Sequence, residues 1–278
     1  MTTIAMLGLG SMNGAVLAGL LEAGVAAKDV VATSGSAESA QRRSQQYGVR
    51  VLALEQHDDA NTAAVADADV VFLGVKPPQT VALCRQIREA VKPGAVVVSV
   101  AAAITIEMME SALREGQPVI RTMPNTPLSV GAGMVGLAAG SQVSQAQTQV
   151  VAELLGASGS VHVVEEQQLD AFTGVAGSGP GYVFYLAEHM AAAGVQLGLS
   201  PEVAAEAAAQ TIYGAGKMLV ANRGRADAAQ LRANVSSPNG TTQRAIETFE
   251  AHSMGDAIGA GVRASAARAA EITAELRG

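Results

Sequence analysis

Ile4-Ala5-Met6-Leu7-Gly8-Leu9-Gly10-Ser11-Met12-Asn13-Gly14 is the stretch from which the first half of the chain is read. Four apolar residues lead into a glycine turn, and a run of helix formers follows at 12–23. Strand, tight turn and helix in that order open a parallel βαβ layer. Gly8 allows the turn, and Gly10 lets backbone amides approach a pyrophosphate seated on the helix N-terminus. The third glycine of GxGxxG is replaced by Asn13, with Gly14 beside it. A loop of this kind also serves as an ordinary strand-to-helix turn. Its weight comes from standing at the head of a βαβ pattern.

That pattern continues downstream. Runs rich in Val, Ile and Leu recur at 30–32, 49–52, 70–75, 96–100 and 119–122, with stretches of helix length at 37–47, 79–90 and 107–115. Continuous apolar strands alternating with crossovers predict a parallel sheet covered on both faces. Residues 134–138 and 161–164 are expected as edge strands. After Asp170 the strand signals stop. Helices are expected at 180–197, 201–221, 226–233, 242–249 and 256–276, and Ser200-Pro201-Glu202 starts one with Ser at the N-cap and Pro at the first helical position. The fold class is therefore α/β: a parallel-sheet domain over residues 1–165, followed by an all-α domain over 166–278.

Composition bounds the function. Apolar residues make up 49% of the 278 and charged residues 15%, which excludes general disorder. Aromatics are 3% with no Trp, so small aliphatic side chains must fill the core. A net charge of −7 argues against a nucleic-acid surface. The lone Cys84 can form no internal disulfide and fits a reducing compartment. No targeting segment is visible, and the longest apolar stretch, 95–106, is too short for a bilayer. The expectation is a cytoplasmic protein with no membrane partner. The helical half is rich in Ala and Gly and apolar on more than one face, so a homodimer is expected to cover it. A thick single-subunit bundle is the alternative.

The end of the second strand, Val31-Ala32-Thr33-Ser34-Gly35-Ser36, lacks the Asp or Glu that binds the ribose 2′-hydroxyl of NAD. Hydroxyls there, with Arg42 and Arg43 on the next helix, suit a 2′-phosphate, so NADP(H) is preferred and NAD(H) remains admissible. Either arginine alone also reads as a solvated helix face. Gly74-Val75-Lys76-Pro77 and Val100-Ala101-Ala102 end strands at the carboxyl edge of the sheet, where ligands bind. Lys76 reads as a turn lysine whose backbone lines the cofactor rather than as a catalyst. His57, His162, His189 and His252 are scattered and lack zinc-ligand spacing, so no metal is expected. Cys84 reads as a small core residue. Three further segments stand out. Arg121-Thr122-Met123-Pro124-Asn125-Thr126-Pro127 is a stiff loop at the sheet edge. Gly174-Val175-Ala176-Gly177-Ser178-Gly179-Pro180-Gly181 either binds an anion through its amides or allows close helix packing. Ser236-Ser237-Pro238-Asn239-Gly240-Thr241-Thr242 is either a small carboxylate site or an ordinary N-cap.

Together these segments resemble the pyrroline-5-carboxylate reductase family along essentially the whole chain. The matching segments are GLGSM at 8–12, FLGVKP at 72–77, RTMPNTP at 121–127, GVAGSGPGYVF at 174–184 and NVSSPNGTT at 234–242. The last two are specific to that family, whereas the first is shared by many dehydrogenases. The resemblance implies a Rossmann domain, a helical dimerisation domain and often a ring of dimers. It implies NAD(P)H-dependent reduction of the cyclic imine 1-pyrroline-5-carboxylate to L-proline, the last step of proline synthesis. Carried over position by position, it puts Leu7, Gly8, Leu9, Gly10, Ser11 and Met12 on the cofactor, with Ser34, Ser36 and Asn61. It adds Gly74, Val75, Lys76 and Pro77, then Val100, Ala101 and Ala102, and Asn234. Substrate falls to Ser237, Gly240, Thr241 and Thr242, with Glu166 as a further substrate-side residue. None of the matching segments offers a His, Lys or carboxylate as an obvious acid, so Thr242 is expected to donate or relay a proton to the ring nitrogen. The family usually has glycine where Asn239 and Ala103 stand. Asn tolerates left-handed backbone, and Ala103 leaves less room beside the nicotinamide. Other imine or β-hydroxyacid reductases and deazaflavin-dependent NADP oxidoreductases share the first domain but are not expected to carry NVSSPNGTT. A non-catalytic dinucleotide sensor would have no need of a carboxylate pocket.

Overall fold

Side-chain alternation along the strands explains how the sheet is covered. In the computed structural model, which describes residues 2–277, Ile4 and Met6 of β1 (Ile4–Leu7) pack into one core, and Ala5 and Leu7 into another. β4 (Val70–Leu73) repeats this, with Phe72 opposed to Val71 and Leu73. All are buried, as strands of a two-sided parallel sheet must be. The remaining strands are β2 (Val30–Ser34), β3 (Arg50–Ala53), β5 (Val96–Ser99), β6 (Val119–Pro124), β7 (Gly133–Ala139) and β8 (Gly159–Val163). The sheet runs β3-β2-β1-β4-β5-β6-β7-β8. The first six strands are parallel, β7 is antiparallel to β6, and β8 is parallel to β7. The order reverses between β1 and β4, which opens a crevice at their carboxyl ends.

Helices cover both faces. α1 (Ser11–Glu22) sets Val16, Leu17 and Leu20 on the Ile4/Met6 side. α2 (Ala37–Tyr47) is amphipathic and carries the Gly48 left-handed cap. α3 (Ala60–Val65) and α4 (Pro77–Ile87) cover the opposite side, where Leu83, Cys84 and Ile87 are buried. Burial pushes the Cys84 thiol up to about 12, which leaves it an inert core residue. α5 (Ile106–Glu110) joins the same side and α6 (Gln145–Gly156) the first. Of the helices on the sheet's faces, α3 escapes the sequence pattern because it is barely longer than one turn, and α6 because it falls where strands were being read. The expected edge strand at 134–138 is interior, since β7 is bonded on both sides.

The chain divides into two compact units, residues 1–177 with 264–278, and residues 178–263. The sequence boundary at 165/166 follows the last strand signal. The contacts carry the sheet unit further, through α7 (Leu169–Phe172) and the π-helical turn Thr173–Gly177. Leu169 is fully buried in the sheet's core, and an added Cβ on Gly136 of β7 would meet it and Phe172 at 2.9 Å.

The second unit holds α8 (Gly179–Gln196), α9 (Pro201–Ala221), α10 (Ala228–Asn234), α11 (Thr241–Ala251) and the start of α12 (Met254–Arg277). Ser200 caps α9 by accepting from Val203 N at 3.3 Å. Gly194 and Ala204 bring α8 and α9 close. Among its described residues only Ala204 and Ala208 are buried hydrophobics, while Phe184 and Tyr185 are 67% and 65% exposed.

Candidate active site

The loop after β1 is shaped by side chains as well as glycines. Gly8 has φ +77°, and a Cβ there would lie 2.9 Å from the Val75 side chain. Its amide donates to Thr33 Oγ1 at 3.1 Å. That hydroxyl donates to Asn61 Oδ1 at 2.9 Å, and Asn61 Nδ2 donates to Gln86 Oε1 at 2.9 Å. Asn13, in place of the third glycine, is fully buried, and its Nδ2 donates to Leu7 O at 3.3 Å and Gly8 O at 3.2 Å. The Asn13 amide fills the space that a Cβ on Gly74 would need. A Cβ on Gly10 would meet nothing nearer than Gly74 O at 3.9 Å. The amides of Ser11, Met12 and Asn13 have no backbone partner. Free first-turn amides under an open glycine surface fit a pyrophosphate.

The neighbouring strand ends complete this region. Gly74 N donates to Leu7 O, and Val100 N to Leu73 O, so Gly74, Val75, Val100 and Ala101 gather beside the loop. Lys76 is exposed and serves as the N-cap of α4, ahead of Pro77. Ser34 is buried at the end of β2, and Ser36 caps α2 by accepting from Ser39 N at 3.2 Å. Arg42 is exposed, whereas Arg43 Nη1 donates to Gln46 Oε1 at 3.0 Å. Sequence reasoning missed the bonds of Thr33 and Gln86 here, which join separate elements and show in no local spacing.

Asn234, Ser237, Gly240, Thr241 and Thr242 lie in the second unit. Gly240 is the N-cap of α11, no side chain caps the helix, and the amides of Thr241 and Thr242 have no backbone partner. Thr242 is therefore not a cap. A Cβ on Gly240 would collide with Ser237, so the turn from Ser237 is closed by glycine alone. Asn239 holds φ +60°, and its amide donates to Gln243 Oε1 at 2.9 Å. Asn234, at the end of α10, accepts from Gln230 Nε2 at 2.8 Å. The turn thus offers two free amides with Ser and Thr hydroxyls, a donor set suited to a carboxylate.

Glu166 is committed elsewhere. Its Oε1 accepts from Ile106 N at 2.8 Å and from the buried Arg121 at 3.2 Å, tying the start of α5 to β6. Arg121 also pairs with Asp170 at 3.6 Å. In the same loop, Asn125 donates to Ala176 O at 3.0 Å and accepts from Met134 N at 2.8 Å. A Cβ on Gly177 would press on Met123, so this glycine serves close packing. Among the described residues no group of His, Cys, Asp and Glu is placed to hold a metal. None of the described helices is long and apolar enough to cross a membrane.

A phosphate loop at the switch point of a doubly wound sheet, followed by a helical unit that leaves apolar side chains exposed, defines a nicotinamide-dinucleotide oxidoreductase with a dimerisation domain. Residues 3–103 match the family described as NADP oxidoreductase, coenzyme F420-dependent, and residues 166–272 match pyrroline-5-carboxylate reductase dimerisation. Over 274 residues the chain is 39% identical to the pyrroline-5-carboxylate reductase of Pseudomonas aeruginosa, covering 98% of this chain and 97% of that one. The solved pyrroline-5-carboxylate reductase of Coxiella burnetii superposes with a TM-score of 0.89 at 31% identity, over 98% of both chains. The pyrroline carboxylate reductase of Plasmodium falciparum, solved with NADP bound, superposes at 0.84 with 22% identity over 98% of both, a likeness of fold. The chain belongs to the pyrroline-5-carboxylate reductase family.

Proposed function

We infer that this chain reduces 1-pyrroline-5-carboxylate to L-proline with a reduced nicotinamide dinucleotide, closing proline synthesis in the cytoplasm. The observation that carries the substrate assignment is the uncapped Ser237–Thr242 turn, with the free amides of Thr241 and Thr242. A substrate carboxylate takes those amides and the Ser237 hydroxyl. The ring nitrogen is one bond from the carbon that bears the carboxylate, so a seated carboxylate brings the nitrogen within reach of the Thr242 hydroxyl. Thr242 then donates to that nitrogen, or relays a proton to it from water, as the C=N bond becomes C–N. The reduced nicotinamide, when bound, supplies the hydride for the imine carbon. In the first unit, the amides of Ser11, Met12 and Asn13 hold the pyrophosphate, and Leu7 to Met12 with Gly74–Pro77 and Val100–Ala102 line the cofactor. Asn61 supports that loop through Thr33, and Asn234 is a further cofactor residue. Glu166 contributes by fixing α5 and Arg121.

NADPH is the preferred reductant and NADH is also accepted, because β2 ends in hydroxyls at Ser34 and Ser36. The working form is a homodimer, assembled further into a ring of dimers. Initial rates of NADPH oxidation test the carboxylate cradle. 1-Pyrroline-5-carboxylate is expected to exceed 1-pyrroline, which lacks the carboxylate, by about 10²-fold or more in kcat/KM, the scale of a lost charged contact. Equal rates on the two imines would overturn the assignment. A higher kcat/KM with NADH than with NADPH would overturn the cofactor preference alone.

A further inference from the structure

The end of β2 carries no acid of its own, but the chain leaving the neighbouring strand brings one beside it. β3 lies beside β2, and the pairing continues past both strand ends, with Leu54 N donating to Ser34 O at 2.9 Å and Glu55 N to Gly35 O at 3.2 Å. The Glu55 carboxylate then accepts from Ala37 N at 2.7 Å, the first amide of α2. Ser36 takes the Ser39 amide. The segment from Ser34 to Ala37 is where this fold meets the 2′-position of the adenosine ribose, and the Glu55 carboxylate is bonded to that segment at Ala37 N.

We propose that Glu55 limits how strongly this protein prefers NADP(H) over NAD(H). A ribose 2′-hydroxyl can donate to the Glu55 carboxylate. A 2′-phosphate meets like charge and finds the Ala37 amide already taken. Among the described residues no ion pair neutralises Glu55, and Arg43, which keeps its charge, donates to Gln46 beside Gly14. Glu38 adds a second negative charge in the first turn of α2. Glu55 therefore works against the hydroxyl-lined site and restrains the preference for NADPH. The inference rests on the dinucleotide site proposed above and is independent of the imine chemistry.

Calorimetric titration of 2′,5′-ADP and 5′-AMP against the wild-type enzyme and Glu55→Gln tests it without turnover. Glutamine keeps an acceptor for Ala37 N and removes the charge. Affinity for 2′,5′-ADP is expected to rise about tenfold, with 5′-AMP changed by no more than about twofold, and the gain should shrink at high salt as surface charges are screened. The ratio of kcat/KM for NADPH to that for NADH should rise by a similar factor. Glu55→Ala should move both readouts in the same direction, which separates charge from loop geometry. Unchanged 2′,5′-ADP affinity in Glu55→Gln, or equal changes for both ligands, would overturn the proposal. Failure of both ligands to bind would overturn the dinucleotide site itself. Because the readout compares variant with wild type, it holds whichever cofactor the wild-type enzyme prefers.

Discussion

Ala103 holds φ +64° with only 5% exposure. The left-handed region costs an L-residue with a Cβ about 1–2 kcal/mol, and glycine returns part of that gain through its freer unfolded chain. Ala103→Gly is therefore expected to stabilise the fold by roughly 0.5–1 kcal/mol in urea unfolding. A loss of stability would show that the methyl's packing outweighs the strain. The sequence exposed this position as a departure from glycine, but as a matter of room; the backbone angle is the larger reason. Asn239, at φ +60°, meets the same demand with a residue that tolerates it better. Glu110 poses a different problem. Its Oε1 is buried beside Gly140 without a hydrogen-bond partner, and burial, with Glu166 and Glu107 adding to it, raises its pKa above the usual 4.5. The folded state thus binds this proton more tightly than the unfolded chain, so stability falls as pH rises from about 4.5 through the raised value. Glu110→Gln is expected to raise Tm at pH 8, with the gap closing as the pH is lowered to 4. A gap that is constant with pH would rule out titration as the cause. At Thr242, replacement by Ala is expected to lower kcat on the order of 10²-fold while NADPH affinity stays unchanged. Near-normal kcat in that variant would remove Thr242 from the chemistry.

The phosphate loop works as an element because three strand ends interlock around it. Gly74 at the end of β4 leaves the space that Asn13 of α1 fills, and Asn13 in turn holds Leu7 O and Gly8 O. Gly74→Ala should push Asn13 aside, freeing those carbonyls and tilting the first-turn amides. Dinucleotide affinity is expected to fall about tenfold or more, with 1–3 kcal/mol lost in stability from overpacking. Unchanged NADP⁺ affinity measured by calorimetry would show that the loop does not depend on this contact. Much of this element was legible in the sequence, because Gly8, Gly10 and the flanking apolar strands are contiguous. The support beneath it was legible only at Asn61, through the resemblance. Its bonds to Thr33 and Gln86 join separate elements that meet only in the folded sheet. Glu55 escaped for the same reason, as a residue on β3's exit acting at the exit of β2. On α11 the sequence left an ordinary N-cap and a carboxylate site both open, and the structure adds that Gly240 is the N-cap, with Thr242 inside the first turn.

Across the molecule, the sheet unit closes its own core while the helical unit does not. Phe184, Tyr185 and Tyr213 stay largely exposed in a unit whose buried apolar residues are Ala204 and Ala208. Burying such faces against a second copy is the expected resolution, and light scattering at micromolar concentration should give a dimer mass or a multiple of it. A stable, fully active monomer would contradict that. The division into a sheet half and a helical half was readable from where the apolar strands stop. The return of residues 264–277 to the first unit was not, because Leu276 reaches the sheet's core through tertiary packing that an amphipathic helix pattern leaves open. The chain reduces a cyclic imine acid with a reduced nicotinamide dinucleotide. The most direct measurement incubates the enzyme with NADPH and 1-pyrroline-5-carboxylate and quantifies both NADP⁺ and L-proline over time. L-proline is expected to appear one for one with NADP⁺. NADPH that binds yet is not consumed, or is consumed without proline formation, would contradict it.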